Sequence, residues 1–300
     1  HETAVLEMGI SDFGEMERLA KIARPDVCVL TNIGCAHLEQ LKSREGILKA
    51  KTEMFFYMNP EGDIILNGDD DMLASVKPAN HIEPVFFGLD PDLAYYADEI
   101  ENLGLKGTAA RFHTPDSEFR AHISIPGAHM VYNALAAIAV GRVMGMNDEE
   151  IRQGIESLAP LAGRNHLIET DNLTIIDDCY NANPASMKAS LDVLSKAGGR
   201  TVAILGDMFE LGPKEHEMHR ETGAFAADAG IDELICIGSL AEDIARGAIG
   251  VNPEMHVHYY ETKAEFLENI DPLINTNDTI LVKASHAMEF PEIVDVLKKR

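Results

Sequence analysis

Between residues 173 and 300, five short, mostly apolar runs at 173–176, 201–205, 233–237, 256–260 and 279–282 are each followed by a stretch of helical periodicity, at 184–196, 215–229, 240–248, 264–270 and 289–299. Few folds accommodate that alternation. Runs rich in Ile, Leu and Val with no polar face fit strands buried on both sides, and the intervening helices supply the cover. Right-handed βαβ units and a doubly wound, Rossmann-like sheet follow. No G-x-G-x-x-G stands after the first of these strands, which argues against a dinucleotide oxidoreductase.

The first half of the chain alternates as well. Strands are expected at 3–6, 26–30 and 63–66, a helix at 14–23, and a second helix opened by Ser43 and running to about residue 58. From 84 to 126 the pattern breaks into short β-rich pieces separated by Gly, Pro and Asp, the reading for an antiparallel addition to the parallel sheet. An alanine-rich helix then opens near Pro126 and runs to about Met144, and another covers 148–158. Pro160 and Gly163 flank a change of pattern, so the domain boundary is expected near Ala162, dividing the chain into 1–162 and 163–300.

Composition removes several classes of function. Three hundred residues suffice for two domains, and 46% hydrophobic with 25% charged residues is an ordinary globular balance. A net charge of -25 argues against nucleic acid and anionic membrane surfaces as partners. No apolar run approaches the roughly 20 residues of a membrane span, and no signal segment opens the chain. Cys28, Cys35, Cys179 and Cys236 form no C-x-x-C pair, so neither a zinc site nor a disulfide framework is indicated. A cytoplasmic monomer is the expectation. The start at His1-Glu2-Thr3 is read as that of a fragment.

The chemistry-bearing residues fall beyond the carboxyl ends of strands, where ligands bind in open α/β sheets. The strand at 26–30 runs into T-N-I-G-C-A-H-L-E, and the helix behind it carries A-K-T-E. His37 on the loop, Lys51 on the helix and Glu7 at the end of the strand at 3–6 could meet. Glu and His are ordinary ligands for a divalent cation near phosphates. An unmodified ammonium would repel that cation, so Lys51 either touches a phosphate or has lost its charge. The structural alternative is a loop histidine, a strand-end carboxylate and a solvated helix lysine.

N-I-G-x-A-H-L-E followed by a helix with A-K-x-E resembles the central domain of the Mur ligases, ATP-dependent amide-forming enzymes of peptidoglycan synthesis. The resemblance implies that Lys51 is carbamylated and holds Mg2+ with His37 and Glu7. It makes residues 1–162 an incomplete central ATPase domain and the rest the Rossmann-like ligase domain. Gly127-x-His129 with Asn133-Ala134-Leu135-Ala136-Ala137 is similar to the family signature whose second asparagine, here Asn133, contacts adenine; Met130 replaces the first. A helix cap is the plainer reading of Asn133. Arg164 resembles an arginine that touches ATP phosphate.

Further motifs follow in order. Asp177-Asp178-Cys179-Tyr180-Asn181-Ala182-Asn183-Pro184 reads on its own as helix-capping grammar. It also resembles D-D-S-Y-N-A-N-P of the MurF branch, which adds D-Ala-D-Ala to UDP-MurNAc-tripeptide; there Asp178 would bind the ATP ribose, with Tyr180, Asn181 and Asn183 on the substrate side. Gly206-Asp207-Met208-Phe209-Glu210-Leu211-Gly212 matches G-D-M-x-E-L-G. Leu281-Val282-Lys283-Ala284-Ser285-His286 is similar to L-V-K-G-S-R, in which Lys283 and Ser285 would hold the dipeptide carboxylate.

The resemblance implies acyl phosphate formation from ATP and Mg2+, followed by attack of the D-Ala-D-Ala amine. The chain contains no G-x-x-x-x-G-K-S/T phosphate loop, which family members carry upstream, so on its own it is expected to be inactive. The alternatives are a sibling ligase of the MurE or folylpolyglutamate synthase type, and a non-catalytic nucleotide-binding module.

Overall fold

The computed structural model describes residues 1–34 and 37–300; Cys35 and Ala36, inside the T-N-I-G-C-A-H-L-E stretch, lie outside the described residues. The chain divides into two compact units. The first comprises His1–Glu101, Ala109–His122 and Met130–Ser157, and the second Asn102–Thr108, Ile123–His129 and Leu158–Arg300. The second unit thus begins at Leu158, ahead of Ala162, and takes two short segments from the middle of the chain.

In the first unit α1 (Glu15–Ala23), β1 (Val27–Leu30), α2 (Leu38–Leu41), α3 (Arg44–Thr52), β2 (Asp63–Asn67), β3 (Val85–Gly88), β4 (Tyr95–Asn102), β5 (Thr108–His113) and β6 (Glu118–Ile123) precede α4 (Met130–Val143) and α5 (Asp148–Glu156). The six strands form one sheet in sequence order. Ser43 caps α3 as expected, its Oγ accepting from the Gly46 amide at 3.2 Å. The helix gives way to a 3₁₀ turn at Glu53–Phe56, and the extra turn α2 had no periodic signal of its own.

Two expectations are corrected. No strand forms at 3–6: residues 1–10 take no regular structure, and Val5 and Leu6 are 91% and 62% exposed. Four residues of strand propensity make a strand only where a neighbour supplies hydrogen bonds, and β1 pairs only with β2. Nor is the 84–126 region wholly antiparallel. β3 runs parallel to β2 and β4 parallel to β3; the long connection between β2 and β3 permits the first of these pairings. Antiparallel pairing begins at β5, where Arg111 meets Glu99 at 2.6 Å and His113 meets Asp98 at 3.0 Å, so position rises along one strand as it falls along the other.

In the second unit β7 (His166–Glu169), β8 (Thr174–Asp177), α6 (Pro184–Ser195), β9 (Thr201–Gly206), α7 (Glu215–Asp228), β10 (Glu233–Ile237), α8 (Ala241–Val251), β11 (His256–Tyr260), α9 (Lys263–Asn269), β12 (Thr279–Lys283) and α10 (Pro291–Leu297) form a sheet of order β11-β10-β9-β12-β8-β7. All neighbours are parallel except β7, which is antiparallel to β8. Side chains alternate between two cores: Ile176, Ala203, Leu205 and Leu281 enter one, Ile175, Val202, Ile204 and Ile280 the other. The chain leaves β8, passes outward through β9 to β11, and returns to insert β12 between β9 and β8. The loops after β8, β9 and β12 therefore share one edge.

Candidate active-site loops of the two units

In the first unit the loop after β1 is latched by side chains from outside it. Asn67 Nδ2 donates to the Thr31 carbonyl at 2.9 Å, Lys51 Nζ to the Asn32 carbonyl at 3.4 Å, and Arg44 Nε to the Ile33 carbonyl at 3.0 Å. The Ile33 amide donates to Asp70 Oδ2 at 2.8 Å. Asp70 Oδ1 also accepts from the amides of Met72 and Leu73, at 3.0 and 2.9 Å, capping the turn that follows β2. Ile33 is 1% exposed and anchors the loop in the core, leaving Thr31 and Asn32 at the surface.

Lys51 is the chemically unusual member. Burial pushes its ammonium below the ordinary lysine value, and the Asp70 carboxylate pulls the other way. His37 stands at the start of α2 in the left-handed region with φ 58°, its carbonyl accepting from the Leu41 amide at 3.0 Å. Glu7 lies exposed on the irregular segment 1–10. Among the described residues, no three His, Cys, Asp or Glu side chains come together as a metal set. The donors as placed do not fit a Mg2+ ion without a further anionic ligand, and Lys51 could supply one only after modification.

Asn133 sits in the first turn of α4, exposed, with Nδ2 3.3 Å from Met130 Sδ. It is inside the helix and does not cap it.

In the second unit the loops hold one another. Lys283, 2% exposed at the end of β12, donates to Asp178 Oδ2 at 2.6 Å, to the Asn181 carbonyl at 3.0 Å and to the Asp178 carbonyl at 3.4 Å. Its three protons are thereby occupied within the protein, so the geometry makes Lys283 an organiser of the loop after β8. Asp178 accepts also from Ser190 Oγ at 2.6 Å and from the Asn165 amide at 3.0 Å, which leaves about one of its four acceptor sites. Ser285 Oγ accepts from the Phe209 amide at 2.9 Å and the Ser285 amide donates to the Asp207 carbonyl at 3.0 Å, joining the loops after β12 and β9.

Asn183 is the N-cap of α6 in a capping box: its side chain accepts from the Ser186 amide at 2.9 Å, and Ser186 Oγ accepts from the Asn183 amide at 3.0 Å. The capping reading of that motif is therefore what the structure shows for Asn183. Asn181 is exposed, and its Oδ1 accepts from the Ala182 amide at 2.9 Å. Tyr180 is half exposed, with the Arg164 guanidinium 4.1 Å from its ring centroid and the His286 ring at 5.7 Å.

Several residues went unread in the sequence. Asp70 stands in the N-G-D-D turn and Asp177 opens the D-D pair, so both carried a signal. His219 carried none. It is fully buried on α7, donates from Nδ1 to the Glu215 carbonyl at 2.6 Å and accepts at Nε2 from the Met208 amide at 2.9 Å. Burial depresses its pKa and raises that of Asp207 beside it. Asp207 caps α8 through the Ala241 amide at 2.7 Å, and a Cβ at Gly238 (φ +118°) would stand 2.4 Å from its carboxylate.

Comparison with known proteins agrees with this layout. Residues 1–141 match the Mur ligase middle domain and residues 163–286 the Mur ligase glutamate ligase domain. The chain belongs to the Mur ligase family. This Mur ligase chain is 36% identical over 296 residues to the UDP-N-acetylmuramoyl-tripeptide--D-alanyl-D-alanine ligase of Bacillus subtilis, covering 98% of the chain and 64% of that relative. The crystal structure of MurF from Acinetobacter baumannii superposes with a TM-score of 0.91 at 30% identity, covering all of this chain and 65% of that one. MurF from Thermotoga maritima in complex with ADP superposes with a TM-score of 0.84 at 27% identity, covering 98% and 66%. The chain thus spans 64% and 66% of the length of the Bacillus subtilis and Escherichia coli relatives it matches. Among the described residues no helix is long and apolar enough to cross a membrane.

Proposed function

We propose that this chain supplies the middle and C-terminal parts of an ATP-dependent ligase that joins D-Ala-D-Ala to UDP-MurNAc-tripeptide through an acyl phosphate. The observation that carries the reading is the 36% identity across 98% of the chain with a ligase of that name. The three loops of the second unit, tied together through buried Asp178, Lys283, Asp207 and Ser285, supply a preformed edge of the kind such chemistry needs.

ATP would supply the phosphoryl group, and a Mg2+ ion held by modified Lys51 and His37 would offset the charge gathering on the transferred oxygens. Lys51 is the modified ligand of this proposal. Its burial raises the share of neutral amine, the form that adds CO2 to give a carbamate, and so converts a repelling cation into an anion. His37 begins the helical turn after the same loop and is the second ligand of the proposal. Glu7 is the third only in a conformation that draws residues 1–10 toward them.

Asn133, exposed and with its amide against the Met130 thioether, could meet an adenine edge. Arg164, exposed over Tyr180, offers a phosphate-binding fork. The remaining acceptor site of Asp178 takes a ribose hydroxyl, and the hydroxyl proton of Ser285 is directed to the dipeptide while its oxygen accepts from Phe209.

The experiment joins this chain to the leading part of the Bacillus subtilis relative. With ATP, Mg2+ and UDP-MurNAc-tripeptide the fusion should release phosphate in proportion to added D-Ala-D-Ala, and not to diaminopimelate or glutamate. Release that ignores D-Ala-D-Ala would refute the proposal.

A further inference from the structure

The segment that leads into β7 is stitched to the loop after β8. The Gly163 amide donates to Asp177 Oδ2 at 3.0 Å, the Gly163 carbonyl accepts from the Tyr180 amide at 2.9 Å, and the Asn165 amide donates to Asp178 Oδ1 at 3.0 Å. Between these anchors the Arg164 amide donates to the Leu161 carbonyl at 3.0 Å, closing a tight turn. Gly163 is the third residue of that turn, at φ +78°, where a Cβ would be strained and would meet the Tyr180 backbone nitrogen at 3.3 Å. The outcome is the position of one side chain: the Arg164 guanidinium, exposed, lies 4.1 Å from the centroid of the Tyr180 ring, and among the described residues no carboxylate pairs with it.

Asp177 meets the centre of the turn with a side chain that is itself held. It is 6% exposed, and its other oxygen accepts from the Cys179 thiol at 2.8 Å. Burial, and after it the bond to Asp177, pushes the Cys179 thiol up, so the sulfur keeps its proton and remains a donor. The carboxylate is therefore fixed from both sides by neutral groups. An untethered surface arginine has many rotamers, and ordering it when an anion arrives weakens binding. Stacked on Tyr180 from a fixed turn, this guanidinium has part of that ordering done in advance.

We propose that Asp177 is a positioning residue for phosphate binding: held by Cys179, it fixes Gly163 and through the turn sets the Arg164 guanidinium on Tyr180 ahead of the anion. That the anion is a phosphate of ATP rests on the ligase reading; the coupling of Asp177 to Arg164 does not. The role needs an acceptor at 177 and not a charge. Asp177 thus shapes an arginine, whereas its neighbour Asp178 is tied to Lys283.

The coupling is readable in this chain, since every residue named belongs to the second unit. In NMR spectra the Arg164 side-chain protons should be shifted upfield by the Tyr180 ring, and Tyr180→Leu should erase that shift. Asp177→Ala should erase most of it, whereas Asp177→Asn, which keeps an acceptor for the Gly163 amide, should preserve it. Arg164 signals unmoved by Asp177→Ala, or lost equally in Asp177→Asn, would overturn the proposal. Should Asp177→Ala fail to fold, Cys179→Ala, which removes only the thiol donor, should reduce the same shift, and an unchanged shift there would count against the proposal equally. In the fused ligase Asp177→Ala should raise KM for ATP about tenfold, leave KM for D-Ala-D-Ala within about twofold, and add nothing to Arg164→Ala when the two are combined. Additive losses, or a change confined to KM for D-Ala-D-Ala, would overturn it too. If Asp177→Ala releases Arg164 in this chain and the unsubstituted fusion makes no product, the ligase reading fails and the positioning stands.

Discussion

The loop after β1 and the loop after β8 occupy the same place in two different sheets, yet they are held by opposite means. In the first unit four backbone groups between Thr31 and Ile33 are each gripped by a separate side chain, most of them half-buried, and the lysine makes the longest of these bonds at 3.4 Å. In the second unit a single ammonium, 2% exposed, gathers the carboxylate and two carbonyls of one loop. Distributed latching tolerates the loss of one contact, whereas a buried ion pair does not. The first loop can adjust around a ligand and the second is fixed before one arrives.

The largest effect should come from breaking the fixed loop. Lys283→Met leaves Asp178 buried and charged with no cation, and truncating one partner of such a pair costs about 3–5 kcal/mol. Urea unfolding should show that loss in the second unit. Adding Asp178→Asn should recover part of it, because the stranded charge is then gone. A cost under about 1 kcal/mol for Lys283→Met would mean that the two loops are held alike after all.

Next in size is the strongest member of the distributed latch. Asp70→Ala removes the acceptor for the Ile33 amide and the cap of the turn after β2, for which about 2 kcal/mol is expected. The same change removes the charge that raises the Lys51 pKa, so the lysine should titrate lower still, readable by NMR of its side chain.

How far these two loops could be read from sequence differs for a physical reason. The strand alternation of 173–300, the Ser43 cap and the D-D-C-Y-N-A-N-P turn are local patterns, and they appear in the structure where the residues place them. The strand expected at 3–6 and the antiparallel pairing expected for β3 and β4 depended on which strand lies alongside, which is decided by chain connections and not by propensity. For the sites, the residue types were legible and their partners were not. Lys283 is recognisable as a lysine at a strand end; that its protons are taken by Asp178 and Asn181 is a fact of the third dimension. His219 sits in a helix with nothing to distinguish it, and only the fold brings it to Met208.

That histidine gives a pH-dependent contrast between the units. Burial holds the folded-state pKa of His219 below its unfolded value, so the unfolded chain binds the proton more readily. Stability from this group is complete above about pH 6.5 and falls as the pH drops below it, by at most about 1.4 kcal/mol per pH unit. Denaturation midpoints between pH 7 and 5 should show the loss in the second unit, and His219→Gln, which keeps an acceptor for the Met208 amide, should remove the histidine's part of the pH dependence while retaining most of the neutral-pH stability.

The smallest stability change is expected at the residue of greatest chemical consequence. Lys51→Ala removes one 3.4 Å bond from a loop that keeps three others, and it also relieves the burial that lowers the lysine's pKa. These effects oppose each other, and the net change should be below about 1 kcal/mol. In the fused ligase the same substitution should abolish ligation, and high bicarbonate should not restore it, since alanine has no amine to carbamylate. A carbon-13 carbamate signal from labelled bicarbonate should appear in the unsubstituted chain and vanish in Lys51→Ala. Full activity in the variant would show that the distributed latch serves only to shape the loop, and would move the search for the modified ligand away from α3.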